Sequence, residues 1–328
     1  MPVGVFYDGF SSTAEMLETC RDAELAGASS LWFAQHMGYR EAMVWATAAA
    51  TVTQRATLVP TAMSPYLWPP LPVAMAISTL GELAHGRVIL TVSVGNILNL
   101  GESGIAPRKP VRIMRDYVEA LRALWRGDPV MHEGELHTLR GAKMAFGQGQ
   151  QFPIYIASTG PQMLKLAGEI ADGVLLSAGL TLVSTNQCLA RAQSGVAAKG
   201  RDGAALRKCS LINFHASHDG TAAKAATLRK LAFLFRSPGH AENIKSSGLA
   251  IDHEAIMACH ARHDFEAAVQ LLPAEAANAF AAAGTPQECH ERLEQYIASG
   301  LDEPVIEVAG NTEERKLALD VVRELARR

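Results

Sequence analysis

Short apolar runs and longer amphipathic stretches alternate along this chain from its first residues. Residues 3–7 read as a strand. Ser11, Ser12 and Thr13 then offer caps for a helix over 14–26 that Gly27 stops. The same rhythm predicts strands over 30–34, 56–66, 87–94, 153–157, 173–177, 208–215 and 304–308. Between and after them it predicts helices over 41–52, 71–84, 111–125, 162–171, 182–199, 221–235 and 313–327. The 111–125 helix shows its buried stripe as Val111, Met114, Tyr117, Val118, Leu121 and Leu124. Another helix starts at Thr285-Pro286-Gln287-Glu288, a threonine cap with proline and acid in the first turn, and ends at Gly300. Two stretches break the rhythm. Residues 128–150 read as a hairpin-like excursion, and 237–283 as partly helical with no strand.

Strands that alternate with helices imply a parallel sheet. Eight such units in 328 residues match a (β/α)8 TIM barrel. We therefore expect an α/β fold of one domain over 1–328, with insertions at about 98–110, 128–150 and 237–283. A doubly wound sheet is the competing architecture, but it would place a G-x-G-x-x-G near the start, and none is present.

In a barrel the chemistry sits at the C-terminal ends of the strands. Here those ends carry Tyr7-Asp8, Gln35-His36, residues 61–65, Gly95-Asn96 through Asn99, Ser158 to Pro161, residues 177–179 and His215. Small, amide and hydroxyl groups predominate, as a phosphate-bearing cofactor requires. Ser158, Thr159 and Gly160 put hydroxyls and close N–H groups at a helix start, which favours an anion or serves as an ordinary cap.

Composition narrows the picture. Apolar residues make up 48% and charged residues 19%, so the chain can bury a large core. Net charge is −3 with no long basic stripe, which argues against nucleic acid as a partner. No apolar run reaches membrane-spanning length, and the first residues lack the basic and apolar regions of a signal peptide. Five dispersed cysteines without a C-x-x-C suit a reduced cytoplasmic protein.

The chain resembles the luciferase-like flavin and deazaflavin oxidoreductases, in particular the methylene-tetrahydromethanopterin reductase group that uses coenzyme F420. The resemblance runs over nearly the whole chain. It rests on residues 31–36, Ser64-Pro65-Tyr66 before a proline-rich helix entry, 81–88, 153–161, 166–174 and Gly284-Thr285-Pro286. It implies a bacterial luciferase-like barrel whose third strand carries a non-prolyl cis peptide at Thr61-Ala62, with the ring of F420, or alternatively of FMN, packed against it. It also implies cofactor contacts at Gln35, Thr61, Ala62, Met63, Gly95, Asn99, Ala157, Ser158, Thr159, Gly160 and Pro161. His36 and Asn96 take the catalytic positions, and relatives often carry a titratable acid where Asn96 stands. Tyr7 and Asp8 are the candidate contacts to a small-molecule substrate. A homodimer is expected, together with a separate flavin reductase if the cofactor is FMN.

Three functions follow: an F420-dependent hydride-transferring oxidoreductase, an FMN-dependent monooxygenase, and a non-catalytic barrel that binds a flavin or a protein. Hydrolysis has little support, because no G-x-S-x-G is present. His260-x-x-His263 beside Cys259 has metal-ligand spacing, but without H-E-x-x-H it reads as a solvated helix face, and no metal is expected. His132 and His137 read as surface or lid residues of the excursion.

Overall fold

The computed structural model describes residues 1–327. In chain order its elements are β1 (Gly4–Tyr7), α1 (Thr13–Ala26), β2 (Ser30–Ala34), α2 (Ala42–Ala50), β3 (Thr57–Thr61), α3 (Pro70–Leu83), β4 (Leu90–Val92), α4 (Ile97–Glu102) and α5 (Pro110–Arg126). A hairpin of β5 (Val130–Glu133) and β6 (Thr138–Ala142) precedes β7 (Ile154–Ala157), α6 (Pro161–Ile170), β8 (Gly173–Leu176), α7 (Leu182–Ala198), β9 (Arg207–Ala216) and α8 (Gly220–Leu234). Four short helices follow, α9 (Ala241–Ser246), α10 (His253–Ala261), α11 (Phe265–Gln270) and α12 (Glu275–Phe280). The chain then runs through β10 (Ala281–Gly284), α13 (Pro286–Ala298), β11 (Glu303–Glu307) and α14 (Thr312–Ala326).

Eight parallel strands form the barrel in the order β3-β2-β1-β11-β9-β8-β7-β4. Isolated bridges at Leu58↔Val88 and Met63↔Val92 join β3 to β4 and nearly close it. These are the eight strands the alternation predicts. One strand was not expected. β10 pairs in parallel with the upper half of β9, from Ala281↔Asn213 to Gly284↔Ala216. The 128–150 excursion does contain an antiparallel hairpin, β5 with β6. Its His137 is no lid residue: Nε2 lies 2.7 Å from the Pro65 carbonyl oxygen, which ties the hairpin to the end of β3.

Strand alternation sorts the core into two layers. Outward residues such as Val5, Leu31, Phe33, Leu58 and Ile156 pack under the helices. Inward residues Trp32, Val59, Tyr155, Leu175, Cys209 and Val305 fill the barrel. Gly4 is required here, because a Cβ at that position would lie 2.6 Å from Trp32 Nε1. Below this layer sits a buried polar plug. Glu303 accepts hydrogen bonds from Ser29 Oγ at 2.6 Å and Ser30 Oγ at 2.5 Å, and Trp32 Nε1 donates to Ser30 Oγ. Arg207 ion-pairs with Glu303 at 3.4 Å.

Outside the barrel, α6 and α7 cross at backbone contact. A Cβ on Gly168 would lie 1.9 Å from the Ala192 carbonyl oxygen, and one on Gly195 would lie 2.0 Å from that of Lys165. This crossing seats α6, whose first turn faces the barrel mouth. Glu24 on α1 anchors the approach to β3 by accepting from the backbone N–H groups of Gln54, Arg55 and Ala56. Burial opposes its charge, but these three bonds win and hold the carboxyl below its ordinary range.

The 237–283 segment builds its own apolar cluster against α8 from Leu231, Phe235, Ile244, Ile256, Leu272 and Phe280. It also corrects the expectation of a solvated His260 face. Cys259 is buried, and His260 Nε2 lies 2.8 Å from the Ala232 carbonyl oxygen. Among the described residues no helix is long and apolar enough to cross a membrane.

Candidate active site

The C-terminal ends of the barrel strands surround one cavity. Its wall includes Gln35, His36, Thr61, Ala62, Gly95, Asn96, Asn99 and Ala157 from the expected set. Phe6, Ala34, Met37, Ser64, Leu67, Ser93, Leu100, Leu175, Leu176, Ser177 and Leu211 complete it. The floor lies at Thr61–Ala62, whose peptide is cis, as the resemblance implied. Gln35 N–H donates to the Thr61 carbonyl across the neighbouring strand at 2.5 Å, and Thr61 Oγ1 donates to Val59 O at 2.8 Å, so the floor is fixed on both sides.

Among the described residues, His36 is the only titratable side chain in the cavity wall. Its Nδ1 lies 2.9 Å from the Asp8 carbonyl oxygen. A carbonyl can only accept, so Nδ1 carries the hydrogen and Nε2 carries the lone pair of the neutral ring. Burial pushes the His36 pKa down, against the opposing pull of the Asp8 carbonyl and the Glu307 carboxylate. The imidazole is therefore neutral at neutral pH. Phe10 and Tyr39 are both exposed and lie beside it, with ring centroids 6.0 Å and 6.4 Å away.

The amides hold fixed positions. Gln35 Oε1 accepts from Ala42 N–H at 2.9 Å, the start of α2, which leaves its NH2 group as the end able to face a ligand. Asn96 caps α4, with Oδ1 accepting from Leu98 N–H at 2.9 Å. It is a non-titrating amide committed to a helix start. Asn99 lines the same wall, and its side-chain amide has no protein partner among the described residues.

Ala157 belongs to the wall, and Ser158, Thr159, Gly160 and Pro161 follow it directly onto the rim. Ser158 Oγ accepts from Gly160 N–H at 3.0 Å, so the serine shapes a tight turn into α6. Pro161 occupies the first turn, where its missing N–H costs nothing. The remaining N–H groups of that turn point out of the helix, where an anion is favoured. A further donor lies on β9. Asn213 Nδ2 is buried without a protein partner, about where a side chain on Gly179 would reach it, at 3.5 Å. This donor set suits a ligand that has a flat hydrogen-bonding ring and a phosphate arm.

Two expected contacts are corrected. Tyr7 does not face the mouth. It is 5% exposed and stacks on Phe33 at 5.4 Å in the layer beneath α1, because strand alternation turns Phe6 inward and Tyr7 outward. Met63 is fully buried in the same outer core while its backbone bridges Val92, so it supports the floor from behind. Asp8 stays at the mouth, beside the cavity wall. Ser177, expected at a strand end, lines the wall, whereas sequence reasoning missed Phe6 and Leu211, which alternation places once the inner face is known. It also missed Glu307 and Lys230, which only the register of β1 with β11 and the packing of α8 bring to this site.

A (β/α)8 barrel with a cavity at its strand ends, a half-buried histidine in the wall and an adjoining helix start that favours an anion defines a cofactor-binding enzyme. The family model for luciferase-like monooxygenases matches residues 1–303, and the chain belongs to that family. It is 29% identical over 293 residues to the 5,10-methylenetetrahydromethanopterin reductase of Archaeoglobus fulgidus, covering 86% of each chain. It is 30% identical over 285 residues to the F420-dependent glucose-6-phosphate dehydrogenase of Rhodococcus erythropolis, covering 84% of this chain and 80% of that protein. In fold it matches the coenzyme F420-dependent tetrahydromethanopterin reductase of Methanopyrus kandleri with a TM-score of 0.89 at 24% identity, over 98% of this chain and 97% of the other.

Proposed function

We propose that this protein is an F420-dependent oxidoreductase that passes a hydride between the deazaflavin and a small organic substrate, in the manner of the methylenetetrahydromethanopterin reductases. One observation carries the reading. Ala157 in the cavity wall is followed directly in the chain by Ser158-Thr159-Gly160 and the N-terminus of α6, so a single ligand can lay a ring on the floor and reach that helix start with a phosphate. The names of the relatives support F420 as that ligand. Bound there, the cofactor would supply or accept the hydride. The chain's own groups do the rest: Thr61 and Ala62 orient the ring face, the Gln35 and Asn99 amides fix its edge, and Leu67, Leu100 and Leu211 exclude water.

Adding F420 to the purified protein is expected to change the cofactor's absorbance and fluorescence on binding. Thr159→Glu places a carboxylate where the phosphate belongs and should weaken that binding roughly tenfold or more. Tight retention of FMN through purification, with no response to F420, would overturn the reading in favour of an FMN-dependent monooxygenase served by a separate reductase.

The reading includes a homodimer in a reducing cytoplasm. Exposed Val44 on α2 and exposed Met75 and Leu83 on the adjacent α3 support a covered face, and all five cysteines are free and buried. A native mass equal to one chain at micromolar concentration would remove the dimer.

A further inference from the structure

A hydride alone does not reduce a neutral C=O or C=N group, because the heteroatom also needs a proton. Residue 96 cannot give one: it is an asparagine bound into the start of α4. His36, neutral and donating through Nδ1 to a backbone carbonyl, has only a lone pair to offer the cavity. Charged groups stand just outside the wall. Phe6 lines the cavity, and its register partner on β11 is Glu307. Asp8 is the next residue after Phe6 on that same inward face. The Glu307 side chain is only 12% exposed and ion-pairs with Lys230 of α8. Asp8 Oδ1 accepts from Phe10 N–H at 2.8 Å, while the Asp8 carbonyl holds His36. Two arginines complete the surroundings. Arg40 donates to the carbonyls of Gly9 and Phe10, and Arg236 lies over the Phe233 ring at 3.5 Å.

We propose that Asp8 and Glu307 are a proton-sharing carboxyl pair and act as the acid–base group of this site, filling the role that Asn96 cannot. The proposal rests on the oxidoreductase reading and deepens it. It assigns the substrate to the neutral carbonyl or imine compounds and their alcohol or amine products. An already cationic iminium would need no acid. Burial first, and then the neighbouring Glu307, push the Asp8 carboxyl up to about 6. Glu307 already ion-pairs with Lys230, which leaves Asp8 as the member of the pair to hold the shared proton. In the reducing direction, the carbonyl carbon takes the hydride with its electron pair and the C=O π pair moves onto oxygen. That oxygen then takes the proton from Asp8. Asp8 is left as carboxylate and regains a proton from solvent at the mouth; the hydride and its two electrons would come from the reduced deazaflavin, which would thereby be oxidised. In the oxidising direction Asp8 accepts the alcohol proton as the hydride departs.

Asp8→Asn and Glu307→Gln, each close to isosteric, test this in the full chain. The first readout needs no cofactor. Infrared difference spectra taken while the pH is raised should show a protonated carboxyl band lost with a midpoint near the value of about 6. The band should be absent in Asp8→Asn, and its midpoint should fall in Glu307→Gln. The second readout is turnover with F420 and a panel of ketones and secondary alcohols. Wild-type kcat for reduction should decline as pH rises through that midpoint, and kcat for oxidation should rise. Both variants should lose about 10²-fold in kcat and lose that limb, with F420 binding unchanged as proof of an intact fold. A wild-type protein without the band, or variants that keep wild-type kcat and pH profile, would overturn the proposal. If F420 fails to bind even the wild type, the oxidoreductase reading falls and takes the catalytic role with it, while the infrared titration still decides whether the pair shares a proton.

Discussion

His36→Ala is expected to lower kcat by about 10²–10⁴-fold while leaving the circular dichroism spectrum and the barrel unchanged. The side chain has a single bond to the protein, from Nδ1 to the Asp8 carbonyl, so its removal leaves no buried charge behind. What disappears is a titratable group in the cavity wall, an imidazole whose Nε2 lone pair is fixed by the bond on its other nitrogen. The sign of the pH dependence follows from burial. The folded-state pKa lies below the ordinary histidine value, so the neutral ring persists as pH falls through that value and is lost only beneath it. Any stability this group contributes follows the same course, present above the unfolded pKa and lost as pH falls toward the folded one. A variant that turned over within about threefold of wild type would reduce His36 to a packing role.

Glu303→Ala should cost roughly 3 kcal/mol of stability, the low end of the range for removing one partner of a buried ion pair. The low end applies because Arg207 keeps a 38% exposed side chain and can recover some hydration. The loss still exceeds that of a surface pair, because Glu303 is also the acceptor for Ser29 and Ser30, and Ser30 is in turn the acceptor for Trp32 Nε1 at the centre of the barrel. Its removal takes the acceptor from the Ser30 hydroxyl and the partner from a guanidinium around a cavity, while Ser29 Oγ can still donate to the Val3 carbonyl at 2.9 Å. The check is the urea midpoint, which should fall at an unchanged slope. Glu303→Gln keeps the acceptor oxygen and should lose less. Equal losses in the two variants would show that the charge, and not the hydrogen-bonding geometry, holds the plug together.

Which parts of this molecule were readable in one dimension is clear from particular residues. Runs such as residues 30–34 and 173–177 announce buried strands because parallel barrel strands are apolar on both faces, and caps such as Ser12 and Thr285 mark the helices that follow. Their number and alternation determined the barrel, and the barrel determined that Gln35, His36, Asn96 and Ala157 would meet at one end. β10 escaped notice because Ala281-Ala282-Ala283 favours helix locally, and only its pairing with β9 makes it a strand. Tyr7 was misplaced for a related reason. Local sequence shows a strand's period of two, but which of the two faces turns inward is decided by the barrel. Tertiary structure alone decided the electrostatics of the mouth. Asp8, His36, Lys230 and Glu307 come from four elements spread across the chain. Register and helix packing bring them together, and burial with these neighbours raises the Asp8 carboxyl and lowers the His36 imidazole from their ordinary values. The sequence by itself determined an eight-unit barrel and the end at which it works. The three-dimensional packing decided which side chains face the ligand and which of them can carry a proton, because facing and desolvation are properties of neighbours that the chain order does not contain.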